Sequence, residues 1–319
     1  MKKMKSFQKL LQVREITLLI IILLSCVVLS IASPYFLTRS NALIVLNGMA
    51  LQMIVACGVT ISLIGGNIDF SVGSILGCAA FTTARCMAAD LPIIVAILAG
   101  VVMGTLLGLF NGVLVTKLNV APIVVTIGTW MAYQGLGIII VGGASIANFP
   151  LAFKKIAQEW NLFGIPFNIL VMIVIVAISV VLLRKVNFFH QAYFIGGNPD
   201  SAKLVGINTE RFAVITYGIN GFLASIAGVL TISRLGSAPA STGQGVEFNI
   251  ITALLIGGIS FNGGAGSIWG ALLGTLMMSI ISNVLALFSV SADVQLLIVG
   301  FVLILAVAVD EFTRRKESL

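Results

Sequence analysis

Runs of about 20 apolar residues recur along this chain, and each is long enough for a helix to cross the ~30 Å hydrocarbon core of a bilayer. They fall near 16–33, 42–64, 70–89, 92–116, 122–143, 167–184, 212–233, 247–261, 266–289 and 293–310. The segments at 70–89 and 247–261 are the weakest, being short, glycine-rich or polar; if they re-enter rather than cross, the count falls from about ten to eight. Of the 319 residues, 59% are hydrophobic and 9% charged, and the mean hydropathy is +1.14. A soluble domain is nearer half apolar and a quarter charged. The composition therefore predicts an all-α polytopic membrane protein, with one transmembrane domain over residues 1–319.

The positive-inside rule orients it. With the N-terminus inside, one side takes Lys2, Lys3, Lys5, Lys9, Arg14, Lys117, Arg184, Lys185, Lys203, Arg211, Arg314, Arg315 and Lys316, while the other takes Arg39, Arg85, Lys154, Lys155 and Arg234. Both termini are expected in the cytoplasm, as an N-terminal segment 1–15 and a tail 311–319, with an even number of crossings. The net charge of +7 thus reflects topology and does not point to nucleic acid. The basic start and the apolar run after it resemble a secretory signal with Ser30-Ile31-Ala32 as a cleavage site. That run is longer than a signal core and Pro34 follows at once, so an uncleaved first helix is expected. Cys26, Cys57, Cys78 and Cys86 lie in or beside apolar segments without CxxC spacing, and read as packing residues. His190 has no ligand-like neighbours, and no metal site is expected.

Two loops are long. An outer one, about Gly143 to Pro166, carries Trp160 and several phenylalanines at interfacial depth. An inner one, 185–211, contains Asn198, Pro199 and Asp200, a helix-start signal of capping residue, proline at the first helical position and acid in the first turn. A short helix of about seven residues should follow, closed by Gly206. Too short to be stable alone, it should dock on something.

Glycines set the packing. Gly100, Gly104, Gly108 and Gly112 recur every fourth residue, as do Gly266, Gly270 and Gly274, and Gly73 and Gly77. That spacing places them on one helix face, where backbones approach closely. An internal echo says more. "LIGGNIDFSVGSILG" (63–77) and "LIGGISFNGGAGSIWG" (255–270) share their first four residues and a GSIxG ending, offset by one residue. Paired, glycine-interrupted segments in two halves of a membrane protein point to a solute path. Broken helices are therefore expected near 65–72 and 257–266. Their freed backbone groups must be buried in protein or line a wet cavity. The candidate path or gate residues are Asn67, Asp69, Phe70, Ser71, Phe261 and Asn262. Asp69 is also well placed to cap the helix that follows it.

These motifs resemble those of a known family. "GGNIDFSVGS" resembles the GGxIDLSVG signature of the membrane subunits of ABC importers for simple sugars, of the ribose, xylose, galactose and autoinducer-2 type. "GGNPDSAKLVGIN" (196–208) resembles the family's cytoplasmic segment, close to GxNxxAAxxSGI. "LLIGGISFNGGAGSIWGALLG" (254–274) resembles its LGGxSLxGGxGSxxGTxxG signature, and "GTWMAYQGL" (128–136) fits a weaker fourth. The matches run from about 40 to 290. Asn67, Phe70 and Lys203-Leu204-Val205 depart from the pattern and leave the sugar unnamed.

The resemblance implies a non-catalytic permease subunit of the bacterial inner membrane that works by alternating access as a dimer with a second copy or a paralogue. It implies cytoplasmic ATPase subunits and an extracytoplasmic sugar-binding protein. The helix around Asn198, Pro199, Asp200, Ala202, Lys203, Leu204, Gly206 and Ile207 is then the candidate element for coupling to the ATPase. The chain carries no GxxxxGK[ST] loop, so ATP and Mg²⁺ belong to the partner and no cofactor is expected here. A permease for nucleosides or amino acids of the same superfamily is the nearer rival. An ion-coupled carrier would need several acids facing one cavity, and only Asp69 reads as mid-chain at membrane depth, since Asp90, Glu247, Asp293 and Asp310 fall near the ends of runs. An intramembrane enzyme lacks HExxH, a Ser/His pair in register or an acid pair.

Overall fold

The computed structural model describes residues 14–317, so the basic residues Lys2, Lys3, Lys5 and Lys9 and the last two positions of the tail lie outside the described residues. Among the described residues, eight helices are long and apolar enough to cross a membrane. In our numbering these are α1 (Arg14–Ala32), α2 (Arg39–Ile64), α4 (Ile93–Leu118), α5 (Pro122–Val141), α7 (Phe167–Lys185), α11 (Thr209–Leu235), α13 (Ile268–Leu287) and α14 (Ala292–Glu317). The two weak segments become shorter apolar helices, α3 (Val72–Ala88) and α12 (Val246–Ile256). Together they make the ten apolar elements expected from hydropathy. At 1.5 Å per residue, α12 rises about 16 Å, roughly half of a bilayer core.

The polar loops fold more than their composition suggests. Between α5 and α7, an eight-residue helix, α6 (Leu151–Gln158), is followed by a short antiparallel pair, β1 (Asn161–Leu162) and β2 (Ile165–Pro166). α6 buries Phe153 and Ala157 and is held to α11 by the Ser233 hydroxyl, which donates to the Phe153 carbonyl at 2.6 Å. Between α7 and α11 lie α8 (Asn187–His190), α9 (Ala192–Gly197) and α10 (Pro199–Leu204).

α2, α3 and α11 form the centre of the bundle. The second half of α2 is buried on every side, from Met53 to Ile64. A helix that is apolar all round belongs in the interior. The outer helices show the reverse: Ile31, Leu106, Ile139 and Phe301 are exposed, as lipid-facing side chains must be.

The glycine rows of α4 do what their spacing implies. A methyl group at Gly104 would strike the Ser225 hydroxyl, one at Gly108 the Tyr217 carbonyl, and one at Gly112 the Val214 backbone, so this face lies directly on α11. Gly221 of α11 reciprocates against the Gly104 carbonyl. Gly100 meets Ala79 and Thr83 of α3, while Gly270 and Gly274 press α13 onto the Gly257 and Ala253 carbonyls at the end of α12. Gly266 departs from the expected row. It lies before α13 at φ +145°, against Ile259, because the second interruption runs on to the Ser267 cap.

Gly221→Val should push α4 and α11 apart. Overpacking of this kind costs about 1–3 kcal/mol, read as a lower melting temperature of the purified protein in detergent. Gly128→Ala, at a glycine with nothing within 4 Å, should leave the melt unchanged.

Candidate functional site

Both LIGG segments end a helix in the same way. After α2, Gly66 adopts φ +78°, its N–H donates to the Leu63 carbonyl at 2.9 Å, and the Asn67 N–H donates to the Ser62 carbonyl at 2.9 Å. After α12, Gly258 adopts φ +81°, its N–H donates to Leu255 at 3.0 Å, and the Ile259 N–H donates to Leu254 at 3.0 Å. This is the Schellman ending, and the left-handed residue at its corner calls for glycine. The two segments then diverge: α3 starts at Val72, with Gly73 already helical, whereas α13 waits until Ile268.

Side chains from four helices satisfy the first interruption. Asp69 is fully buried. Its Oδ1 accepts from the Ser71 N–H at 3.0 Å and the Ser71 hydroxyl at 2.6 Å, and its Oδ2 accepts from Asn220 Nδ2 of α11 at 3.0 Å. The first of these is an Asx turn; contrary to the expectation that Asp69 caps α3, the N-cap residue is Ser71 and no side-chain cap bond is made there, because the one backbone amide that Asp69 bonds is the Ser71 N–H, ahead of the helix. Ser71 Oγ accepts from Asn111 Nδ2 of α4 at 2.7 Å, and Asn111 Oδ1 accepts from the Tyr133 hydroxyl of α5 at 2.8 Å. The freed Ile68 carbonyl takes the Tyr217 hydroxyl at 2.9 Å and Thr126 Oγ1 at 3.3 Å, while the Asn67 carbonyl takes the Ser62 hydroxyl at 2.6 Å. Backbone groups without water must find such partners.

The second interruption is more open. Gly257, Gly258, Ser260, Asn262–Ser267, Gly196, Gly197, Glu15 and Asp310 line a cavity of about 620 Å³. Ser267 caps α13, accepting from the Gly270 N–H at 2.9 Å while donating to Glu15 Oε1 at 2.8 Å. Asp310 Oδ2 accepts from the Phe261 N–H at 3.2 Å.

The two interruptions touch. The Gly264 N–H donates to the Ile64 carbonyl at 2.8 Å. Gly196 of α9 fills the angle between them: a methyl group there would collide with both the Ile64 carbonyl and the Gly264 amide. Tyr193, one turn earlier, donates its hydroxyl to the Gly266 carbonyl at 3.0 Å. Burial pushes the Tyr193 phenol above its usual pKa, against a smaller pull from Arg184, so the hydroxyl keeps the proton it donates. α10 follows directly. Asn198 caps it by accepting from the Ser201 N–H at 2.9 Å, Ala202 is buried, and Gly206 closes it at φ +85°. Leu204 and Val205 stand out, 88% and 76% exposed.

The expected path residues thus fall into three groups. Phe70 and Phe261 share an apolar cluster with Phe248 and Ile251. Asp69 and Ser71 sit in the buried network, whereas Asn262 is exposed at the cavity. Glu247 corrects the sequence reading. Its place at the edge of a run suggested a membrane surface, yet it is fully buried in the first turn of α12. The reason is the loop after Gly236, which folds back so that the Gly243 and Thr242 carbonyls lie against Gly73 and Gly77 of α3. Asn111, Tyr133, Tyr217 and Asn220 were not singled out, although a polar residue inside an apolar run is itself a signal. Among the described residues no group of three or more His, Cys, Asp or Glu could hold a metal ion.

Asp69→Ala should leave the Ser71 and Asn220 donors unmatched, each at roughly 1–3 kcal/mol, and lower the melting temperature sharply. Asp69→Asn should cost much less, because Asn220 Oδ1 is buried without a partner and an amide flip would turn it toward the new NH₂ group.

The chain is similar to the probable ABC transporter permease protein YphD of Escherichia coli K12, 32% identical over 96% of this chain and 92% of the relative. It is 34% identical to the ribose import permease protein RbsC of Bacillus subtilis, over 92% of this chain and 90% of the relative. It is also 34% identical to the autoinducer 2 import system permease protein LsrC of Escherichia coli SMS-3-5, over 93% and 86%. No solved structure matches it. Residues 41–307 match the family described as branched-chain amino acid transport system / permease component, and the chain belongs to that family of multi-pass membrane permeases.

Proposed function

We propose that the chain is the membrane subunit of an ATP-driven importer for a small neutral sugar, a ribose-like pentose or related monosaccharide. The observation that carries this reading is the similarity to permeases named for ribose and autoinducer 2, at 34% identity over nine tenths of the chain. The amino-acid wording of the family description is the second reading. Against it, the charged side chains buried among the described residues are Asp69 and Glu247, both acids. No buried Lys or Arg among the described residues would pair with the carboxylate of an amino acid, whereas a sugar brings no charge.

In this reading the protein lies in the bacterial inner membrane with both termini in the cytoplasm, and pairs with a second permease copy or a paralogue. α10 faces the cytoplasm and offers Leu204 and Val205 to a groove of the ATPase, which binds ATP and Mg²⁺. Ala202, Gly206 and Ile207 hold that helix on the bundle. A binding protein delivers sugar at the other face. Closure of the ATPases shifts α10 and, through α9, the two interruptions, so the path opens alternately to each side. Phe70 and Phe261 act as its apolar gate, and Asp69, Ser71 and Asn67 brace the chain behind them.

Reconstitution with the ATPase and binding protein should give ATP-dependent uptake of at least one pentose or hexose; uptake of nucleosides or branched-chain amino acids alone overturns the sugar assignment. Leu204→Asp with Val205→Asp should abolish co-purification of the ATPase without changing the melt of the isolated permease. Unchanged co-purification removes α10 as the docking element.

A further inference from the structure

The glycine row that joins α4 to α11 ends at Gly112, which lies against the Val214 backbone. Beyond it, the end of α4 and the start of α11 frame an open groove of about 410 Å³. That volume is within the ordinary range of small-molecule sites, about 300–1,000 Å³. Two side-chain rows line the groove. Val113, Thr116 and Lys117 follow one another at i, i+3 and i+4 on α4, and Arg211, Val214 and Ile215 do the same on α11. That spacing puts each row on one face of its helix. Lys117 stands in the last turn of α4 and Arg211 in the first turn of α11. The groove therefore has a basic mouth at the helix ends and an aliphatic floor of Val113, Val214 and Ile215 deeper along the spans.

The mouth is not neutralised from within. Glu210 also lines it, and its Oε2 lies 3.8 Å from Lys117 Nζ, but both side chains are mostly exposed. An exposed pair of that length contributes little. The Arg211 N–H donates to the Asn208 cap at 2.8 Å, while its guanidinium has no ion-pair partner among the described residues. Lys117 and Arg211 against Glu210 leave one net positive charge. The start of α11 adds the positive end of its helix dipole. Lysine meets a phosphate as a point charge, and arginine as a two-pronged donor.

Mouth and floor together restrict what can fill the groove. A free anion would use the mouth and leave the floor bare. A purely apolar surface would cover the floor and leave two cations unmet. A zwitterionic headgroup would bring a second cation to a mouth that is already positive. Basic pockets between membrane helices suit anionic headgroups for this reason. We propose that the groove between α4 and α11 binds an anionic phospholipid, with its phosphate between Lys117 and Arg211 and an acyl chain along Val113, Val214 and Ile215. Seated there, the lipid links the end of α4 to Asn208, in the segment that joins α10 to α11. The site is independent of which solute is carried.

The test uses the full-length permease with the partly exposed Cys26 and Cys86 replaced by alanine, and with Val113→Cys, at the open edge of the groove, labelled with bimane. In liposomes of phosphatidylcholine and phosphatidylglycerol, one lipid at a time carries brominated acyl chains, and quenching reads which of them touches the probe. Phosphatidylglycerol should exceed its share of the bilayer at this position by about three-fold or more. The excess should persist in tens of millimolar inorganic phosphate at constant ionic strength. Lys117→Gln with Arg211→Gln should bring it down to the bulk ratio, and either substitution alone should lower it. Arg184→Gln with Lys185→Gln, which removes two charges outside the groove, should leave it unchanged. A bimane at Phe301→Cys, on an exposed face of α14, should report the bulk ratio throughout. An excess that survives the Lys117 and Arg211 substitutions, that disappears with those at Arg184 and Lys185, or that is matched at Phe301 overturns the site. Loss of the excess in phosphate assigns the mouth to a free anion instead. Absence of quenching by either lipid assigns the groove to a protein surface, and overturns the site as well.

Discussion

A helix that stops inside a packed bundle leaves buried carbonyl and amide groups that must find partners, and this chain stops two helices there. The bond from the Gly264 amide to the Ile64 carbonyl lets each interruption satisfy part of the other. Around it the remaining groups are met one by one: Ile68 by hydroxyls from α5 and α11, Asn67 by Ser62, and Gly266 by Tyr193. Much of the buried polar chemistry is there because the backbone needs it. That is why Asp69, conspicuous as a carboxylate in an apolar run, is tied to the turn that starts α3.

The two halves of the molecule use one ending for different purposes. After the shared Schellman corner, the first segment stays buried and returns to helix at Val72, drawing α4, α5 and α11 around it. The second runs on to Ile268 and opens on a cavity with acids at its rim, Glu15 and Asp310. Placing Glu247 on the half-length α12 rather than on α3 breaks the symmetry further. One half carries a buried carboxyl bonded at both oxygens, and the other a buried carboxyl held by the Gly245 N–H at Oε1.

The sequence made the architecture readable where the physics is local and additive. Twenty apolar residues in a row suffice to mark a span, four-residue glycine spacing marks a contact face, and LIGG marks a helix end. The Asn198-Pro199-Asp200 start was equally plain, although α10 proved to be six residues long. What escaped notice depends on partners distant in sequence. Asn111, Tyr133 and Asn220 are single polar residues on long apolar helices, and nothing local says that they converge on Asp69 and Ser71. Glu247 was misplaced because "GSAPASTGQG" before it has the composition of an exposed loop; only packing against Gly73 and Gly77 turns that loop inward. Gly196 looked like part of a motif, and its role emerges only from two backbones that meet on either side of it.

The meeting of Gly196 with Ile64 and Gly264 has a mechanical consequence. Most packed contacts are compliant, because side chains change rotamer and take up small displacements before the main chain has to move. Here three stretches of main chain bear on one another with no side chain between them, so there is nothing to take up the slack. A push on α9 would therefore reach both interruptions through main chain alone. A single methyl group added at Gly196 would work as a wedge driven between the two broken helices.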